Sequence, residues 1–325
     1  MPGREARCGS ACRQCAQTLA TGGTNADRYT DFAAVPGALL ESLAQRGGRK
    51  VRWIAMNSRV VRLLHVTDPH LLGDESGQIY DVNTSLSLRS VLQQARSDHA
   101  ALPDAILVTG DIADDCSSEA YAHLRSQLQG WDVPVLCLPG NHDAPALMAR
   151  MLGSDGFQYC GRAGFGDWAI VLLDSHLPRD PSGRVAAPEL ERLEAELRDA
   201  AERHVLVCLH HPPVPVGSAW LDAVGLQNGA EVLRVVERFS NVRAMLAGHV
   251  HQAFETRAGR MRILTTPSTC AQFTPDTEDC IMDLRPPGYR WLELLADGSI
   301  RTEVCWLRNW EVSRRPTDSR ASFMS

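Results

Sequence analysis

From residue 59 onward, short apolar runs alternate with amphipathic stretches, and this alternation constrains the fold more than any other feature of the chain. The runs at 60–66, 105–109, 133–138, 168–173, 204–209, 242–246 and 261–265 read as buried strands. Residues 289–295 and 300–307 read as a hairpin around an Asp297-Gly298 turn. Between them lie helical patterns. Asn83 is expected to cap a helix running to about His99, with Leu86, Leu88, Val91, Leu92 and Ala95 as its apolar positions. Ser117 or Ser118 caps a second, containing Tyr121, Leu124 and Leu128. Pro188 opens a third, with Leu190, Leu193 and Leu197 on one face. Strands alternating with helices predict an α/β fold.

In such a sheet, ligands gather at the carboxyl ends of the strands. Here those ends carry the polar chemistry of the chain. They read Asp68-Pro69-His70, Gly110-Asp111-Ile112-Ala113-Asp114, Gly140-Asn141-His142-Asp143, His210-His211-Pro212-Pro213 and Gly248-His249-Val250-His251. Six of the 11 histidines fall in these five short segments, a concentration that random placement does not produce. Imidazole and carboxylate together suit manganese, iron, zinc and similar ions, with an Asn amide as a further oxygen ligand. A carboxylate can bridge two ions, which makes a hydrolytic two-metal site. On extended backbone, His249 and His251 would project the same way and both reach a metal. Gly110, Gly140 and Gly248 would let the backbone turn close to the ions.

The ordered set D-x-H, G-D-x-x-D, G-N-H-D, H-x-P and G-H-x-H resembles the signature of the calcineurin-like metallophosphoesterases. The stretches 209–213, 218–222, 266–273 and 287–291 resemble one branch of it, the bacterial class III 3′,5′-cyclic-AMP phosphodiesterases. The resemblance covers roughly residues 59–307. It implies a four-layer α/β sandwich, with two mixed β-sheets flanked by helices. It implies two metal ions, iron and/or manganese, with zinc or cobalt as further candidates. Asp68, His70 and His251 would hold one ion, Asn141, His210 and His249 the other, and Asp111 would bridge them. The nucleophile would be a metal-bridging hydroxide. His142 would contact the substrate phosphate and protonate the leaving oxygen, and Asp114 would orient His142 and keep it protonated. The activity implied is hydrolysis of 3′,5′-cyclic AMP to 5′-AMP. A broader phosphodiesterase acting on glycerophosphodiesters or other small diesters stays open, because one fold serves many substrates. So does a metal-binding protein without catalysis, against which the intact Asp111, Asn141 and His142 argue.

Other residues have plainer readings. In H-x-P the ligand is the His two before the Pro, so His211 is expected to support rather than ligate. Asp143 is expected to cap the helix beginning near Ala144. Cys270 reads as a packed thiol. Trp220 could stack on a nucleobase or cover apolar side chains. His65, His99, His123, His176 and His204 read as structural.

Composition narrows the partners. The net charge of −6 does not mark a general nucleic-acid or anionic-membrane binder. No run of 18 apolar residues occurs, and the N-terminus lacks the apolar core of a signal peptide. Several of the ten cysteines, among them Cys137, Cys208 and Cys305, sit singly in strand-like runs, as buried cytosolic thiols do. The cytoplasm is therefore the expected compartment, and a small cyclic nucleotide the expected partner. Residues 1–55 carry eight basic and four acidic residues, whereas the remainder of the chain is net acidic. They read either as a disordered tail or as sequence upstream of a start at Met56, with one helical candidate at 34–45. Their Cys8, Cys12 and Cys15 match iron–sulfur spacing, but the chain shows no barrel or Gly-rich loop of a matching enzyme. Residues 59–307 are the expected catalytic domain and 308–325 a polar tail.

Overall fold

The computed structural model describes residues 59–99 and 101–310. The cysteine triplet, the 34–45 helical candidate and the chain after Trp310 lie outside the described residues. Twelve strands build two six-stranded sheets. The first uses β1 (Val61–Val66), β2 (Ala105–Thr109), β3 (Val135–Leu138) and β4 (Phe157–Tyr159). The second uses β5 (Gly161–Phe165), β6 (Trp168–Leu172), β7 (His204–Cys208), β8 (Val242–Ala247), β9 (Glu255–Ala258) and β10 (Met261–Thr265). The chain then returns to the first sheet as β11 (Gly288–Leu294) and β12 (Ile300–Trp306).

The strand orders are β12-β11-β1-β2-β3-β4 and β9-β10-β8-β7-β6-β5. Both sheets are mixed: β1 to β4 run parallel, as do β6, β7, β8 and β10, while β11, β12, β9 and β5 pair antiparallel. Parallel strands need crossovers, and helices supply them. Over the first sheet lie α1 (Thr84–Asp98), α2 (Ser118–Leu128) and α3 (Pro145–Met151). Over the second lie α4 (Ala187–Asp199) and α6 (Gly229–Glu237), and a single turn, α5 (Ala219–Asp222), sits between them in the chain.

Strand alternation sorts the core into layers. Leu63, Leu107 and Leu136 face Ile170, Leu206 and Leu246 between the sheets. The intervening residues Leu64, Ile106 and Cys137 pack outward under Leu88, Tyr121 and Leu124 of the helices. Val171, Val207 and Met245 do the same beneath Leu193, Leu197 and Val236. The Trp168 indole N–H donates to the Leu295 carbonyl at 2.8 Å and ties one sheet to the other. The result is the expected four-layer sandwich.

Two local expectations change. Leu86 is 52% exposed and belongs to the solvent face of α1, while Leu88, Val91, Leu92 and Ala95 are buried. The Asn83 side chain does cap α1, accepting from the Leu86 N–H at 2.7 Å. Pro188 falls one residue inside α4 rather than at its first position. At the C-terminal side, Arg308 donates from its backbone to Gln94 at 2.7 Å, which ties the chain beyond β12 to α1.

Candidate active site at the strand ends

Each of β1, β2, β3, β7 and β8 delivers its polar segment to one place. The His70 and His251 Nε2 atoms lie 3.2 Å apart. Asp68 Oδ1 is 3.4 Å from His251 Nε2 and 3.9 Å from His210 Nε2. Asp111 Oδ2 lies between the two halves, 3.4 Å from His210 Nε2 and 3.8 Å from His70 Nε2. Asn141 Oδ1 is 3.2 Å from His210 Nε2 and 3.0 Å from His249 Nδ1. Seven of the nine residues singled out in the sequence are therefore neighbours, and Asp114 and His142 join them, Asp114 through His70 and His142 through Asp114. Asp68, Asp111, His210 and His251 are almost wholly buried, and His142 is the most exposed ring of the set.

The backbone reaches this arrangement through strained turns. Asp68, His70, Asp111, His249 and His251 have φ of 51°, 46°, 49°, 69° and 50°. Left-handed backbone costs a non-glycine residue roughly 1–3 kcal/mol, and such strain collects at functional sites. His249 and His251 thus lie on left-handed turns past the end of β8, not on the extended backbone expected for them. They still converge, because the two turns re-aim both rings. At Gly110, φ is +95°, and a Cβ there would lie 2.5 Å from His210 Nδ1. At Gly248, a Cβ would collide with the Thr67 hydroxyl.

Ring orientation tests whether cations fit. His210 Nδ1 donates to the Thr109 carbonyl at 2.8 Å, and His251 Nδ1 to the Ala271 carbonyl at 2.8 Å. His70 Nδ1 donates to Asp114 Oδ1 at 2.9 Å. Each bond holds the proton on Nδ1 and aims the Nε2 lone pair inward, as metal-binding histidines require. Lone pairs and carboxylates pointed at one another in a dry site repel unless a positive charge lies among them. The donor set of carboxylate, amide and imidazole suits divalent transition metals. Asp68, His70 and His251 form one group able to hold an ion, and Asp68, Asp111 and His210 another. The residues fit the expected metals.

The protons follow the charges. Burial alone would lower the His142 pKa, but the Asp111 and Asp114 carboxylates outweigh it and raise it to about 10. His142 Nδ1 lies 3.1 Å from Asp114 Oδ1, the atom that also receives His70. Asp114 itself is held well below the usual carboxylate range: burial pushes it up, and hydrogen bonds from His142 and His70 more than reverse this. With no ion among these groups, His210 is likewise raised to about 9, because Asp111 and Asp68 overcome its burial, and the proton it then carries on Nε2 stands where a cation would replace it. His249 goes the other way, to about 3, driven by burial.

Asp143 takes a different part from the one expected. The N-cap of α3 is Ala144, with no side-chain cap bond. The Asp143 carboxylate instead accepts from the backbone N–H groups of Ile112 (3.1 Å), Ala113 (3.0 Å) and Gly140 (2.9 Å) and from the Tyr121 hydroxyl (3.0 Å). It clamps the loop carrying Asp111 to the loop carrying Asn141 and His142. Its position directly after Asn141-His142 was the available signal. Ser268 was also hidden: its hydroxyl donates to the Asp68 carbonyl at 2.7 Å and props that loop. His211 packs against the His210 and His249 rings and with them forms a further group able to hold an ion, but its own nitrogens have partners, Nδ1 at 2.9 Å from the Ser175 hydroxyl and Nε2 at 3.3 Å from the Pro181 carbonyl. Cys270 is a buried thiol, as expected. Trp220 packs on Val216, Leu221, Val250 and Phe273, and the Phe273 ring stacks on His251 at 4.5 Å.

A two-sheet sandwich with this strand-end cluster defines a calcineurin-like phosphoesterase, and the chain belongs to that family, whose sequence profile matches residues 61–253. Within it, the chain is 41% identical over 245 residues to the 3′,5′-cyclic adenosine monophosphate phosphodiesterase CpdA of Escherichia coli (strain K12), covering 75% of this chain and 89% of that protein. It is 39% identical over 246 residues to the Haemophilus influenzae protein of the same name, with the same two coverages. Among solved structures it resembles a dimetal phosphatase from Danio rerio, with a TM-score of 0.53, 18% identity, and coverage of 76% of this chain and 99% of that one. That likeness concerns the fold alone.

Proposed function

We propose that this chain is a cytoplasmic phosphodiesterase that hydrolyses 3′,5′-cyclic AMP to 5′-AMP with two metal ions, iron and/or manganese, zinc and cobalt also fitting the donors. The observation that carries the substrate is the match to relatives named for that activity over 89% of their length. Asp68, His70 and His251 would hold one ion, Asn141, His210 and His249 the other, and Asp111 both. When bound, such ions neutralise the phosphodiester and lower the pKa of the attacking water.

The protein's own groups supply the rest. Water adds to phosphorus, the P–O3′ bond breaks, and O3′ takes a proton from His142. A ribose alkoxide is a poor leaving group, so proton donation here is worth roughly 10²–10⁴-fold. Asp114 sits behind the ring, 3.1 Å from Nδ1, which leaves Nε2 to face the substrate. The backbone N–H of His142 donates to Asp111 Oδ1 at 2.9 Å and fixes the ring's origin relative to the proposed bridge. No helix among the described residues is long and apolar enough to cross a membrane.

The test is a substrate panel. Manganese-supplemented protein is offered 3′,5′- and 2′,3′-cyclic nucleotides and glycerophosphocholine. Preferential turnover of 3′,5′-cyclic AMP is expected. Preference for glycerophosphocholine would replace the cyclic-nucleotide reading with the broader diesterase one.

A further inference from the structure

At the amino-terminal end of the second sheet, away from the strand-end cluster, four arginines line one cavity of about 300 Å³. They are Arg243, Arg257, Arg260 and Arg262, and Val242 and residues 298–300 complete the lining of this half-open cavity. Arg243 is the second residue of β8, and His249 lies beyond that strand's other end. Six residues at about 3.3 Å each separate the cavity from the candidate active site by roughly 20 Å.

Three features set this cluster apart from a solvated charged surface. Arg257 and Arg262 are direct cross-strand partners in the β9–β10 hairpin. Like charges placed directly opposite destabilise a sheet. Charge on an exposed edge strand such as β9 guards against sheet-to-sheet pairing, but Arg243 lies on β8, an interior strand, where no edge needs guarding. Finally, Arg243 is aimed. The His204 Nδ1 lone pair accepts from Arg243 Nε at 3.2 Å and from Nη2 at 3.1 Å, while His204 Nε2 donates to the Ala296 carbonyl at 2.9 Å.

Carboxylates do not balance the group. Arg262 pairs with Glu255 through Nε and Nη2, each at 2.8 Å, and its Nη1 donates to the Ile300 carbonyl at 2.8 Å. Arg260 donates to the backbone carbonyl of Glu237 at 3.1 Å, and Arg257 reaches only the Arg260 carbonyl, at 3.5 Å. The Asp297 carboxylate is spent on its own turn, accepting from the Ser299 N–H at 2.8 Å and from the Ser299 hydroxyl at 2.6 Å. Guanidinium forks match phosphate oxygens two bonds at a time, and several forks around one cavity suit adjacent phosphates. A second cavity of about 300 Å³ shares Val242 and Arg260 and is lined by Val236, Phe239, Ala258 and Met261, with Glu237 as its one carboxylate, which gives room for a mostly apolar group beside the phosphates.

We infer that this arginine-lined cavity is a second binding site, for a diphosphate-bearing small molecule, distinct from the phosphodiester site. The inference does not depend on the identity of the catalytic substrate.

The test titrates metal-loaded wild type and the Arg257→Gln/Arg262→Gln variant with ADP in magnesium buffer, read by calorimetry. Amide hydrogen exchange locates the site. Removing like charges should leave the fold intact, and matching far-ultraviolet circular dichroism spectra serve as the check on both proteins. Wild type should bind ADP with slowed exchange in residues 255–265, and the variant at least tenfold more weakly with that protection gone. An Arg257→Lys variant, which keeps the charge and loses the fork, should fall between them. Inorganic pyrophosphate protecting the same residues as strongly as ADP would assign recognition to the phosphates alone, and weaker protection would assign a share to the apolar cavity; either supports the site. Equal ADP affinity in wild type and double variant, or no protection in the hairpin, overturns it.

Discussion

His142 and Asn141 are neighbours in sequence, yet their truncation should fail in different ways. His142→Ala is expected to keep both metals and lose roughly 10²–10⁴-fold in turnover of cyclic AMP. The loss should shrink on a nitrophenyl diester, whose leaving oxygen needs little protonation. Metal stoichiometry and the two rate ratios check this; an equal defect on both substrates would make His142 a phosphate-binding group rather than the acid. Asn141→Ala should lose one ion, because its amide oxygen lies beside His210 and His249, the proposed ligands of that ion. Asp111→Ala should lose both, since its carboxylate faces each half. Metal content per chain decides between them, and identical losses contradict the assignment.

The same charges set a pH dependence for the metal-free protein. His142 and His210 are raised above the ordinary histidine value, to about 10 and about 9. A raised histidine contributes stability that is complete below about pH 6.5 and is lost as pH climbs through the raised value. The metal-free chain should therefore melt at a lower temperature at pH 10 than at pH 7. His142→Gln should show a shallower fall over that window. An unchanged slope would mean that His142 does not carry the shift.

Helix α1 shows what elements add. Leu88 is fully buried against the first sheet while Leu86 points to solvent. Leu88→Ala should cost about 2–5 kcal/mol and Leu86→Ala less than about 0.5, read from urea unfolding. Period-3.6 reading placed Leu86 on the apolar face because it counted hydrophobic residues and not the direction of the sheet. Strands β1, β2, β7, β8 and β10 were legible because each is a short, mostly apolar run. β4 and β5 were not. Their stretch from Phe157 to Phe165 is broken by Cys160, Gly161 and Gly164, and it forms strands only because the two sheet edges are there to pair with. Helix α6 was missed as well; it opens on Gly229, a poor helix former, and its N-cap residue Asn228 makes no side-chain cap bond.

The site was more legible than its supports. Ligand-type residues announce themselves by chemistry and spacing, so Asp68 through His251 stand out in sequence. The groups that aim them do not. The carbonyls of Thr109 and Ala271 could be any residue's carbonyls, and the strained φ values of His249 and His251 arise from tertiary packing. Asp143 looked like a cap because an acid before a helix usually is one. Its clamp joins two loops about 30 residues apart, a relation that only the folded chain contains. Asp143→Ala should free four donors and cost about 1–3 kcal/mol or more, with turnover falling as Asn141 and His142 lose their register.

At the scale of the whole molecule, we propose that residues 59–307 form the catalytic domain and that residues 1–55 are dispensable for it. The family match begins at residue 61, and the break in composition lies just before it. Deleting residues 1–55 should leave the thermal midpoint and turnover largely unchanged; loss of folding would refute the division. The central claim is that five strand ends from two sheets make one metal-dependent phosphodiesterase site. Release of 5′-AMP from 3′,5′-cyclic AMP by the full chain, followed before chelation, after chelation and after manganese is restored, tests it most directly. The account predicts turnover that disappears with the metals and returns with them. Hydrolysis that survives complete metal removal, or a metal-loaded protein that leaves cyclic AMP intact, would contradict it.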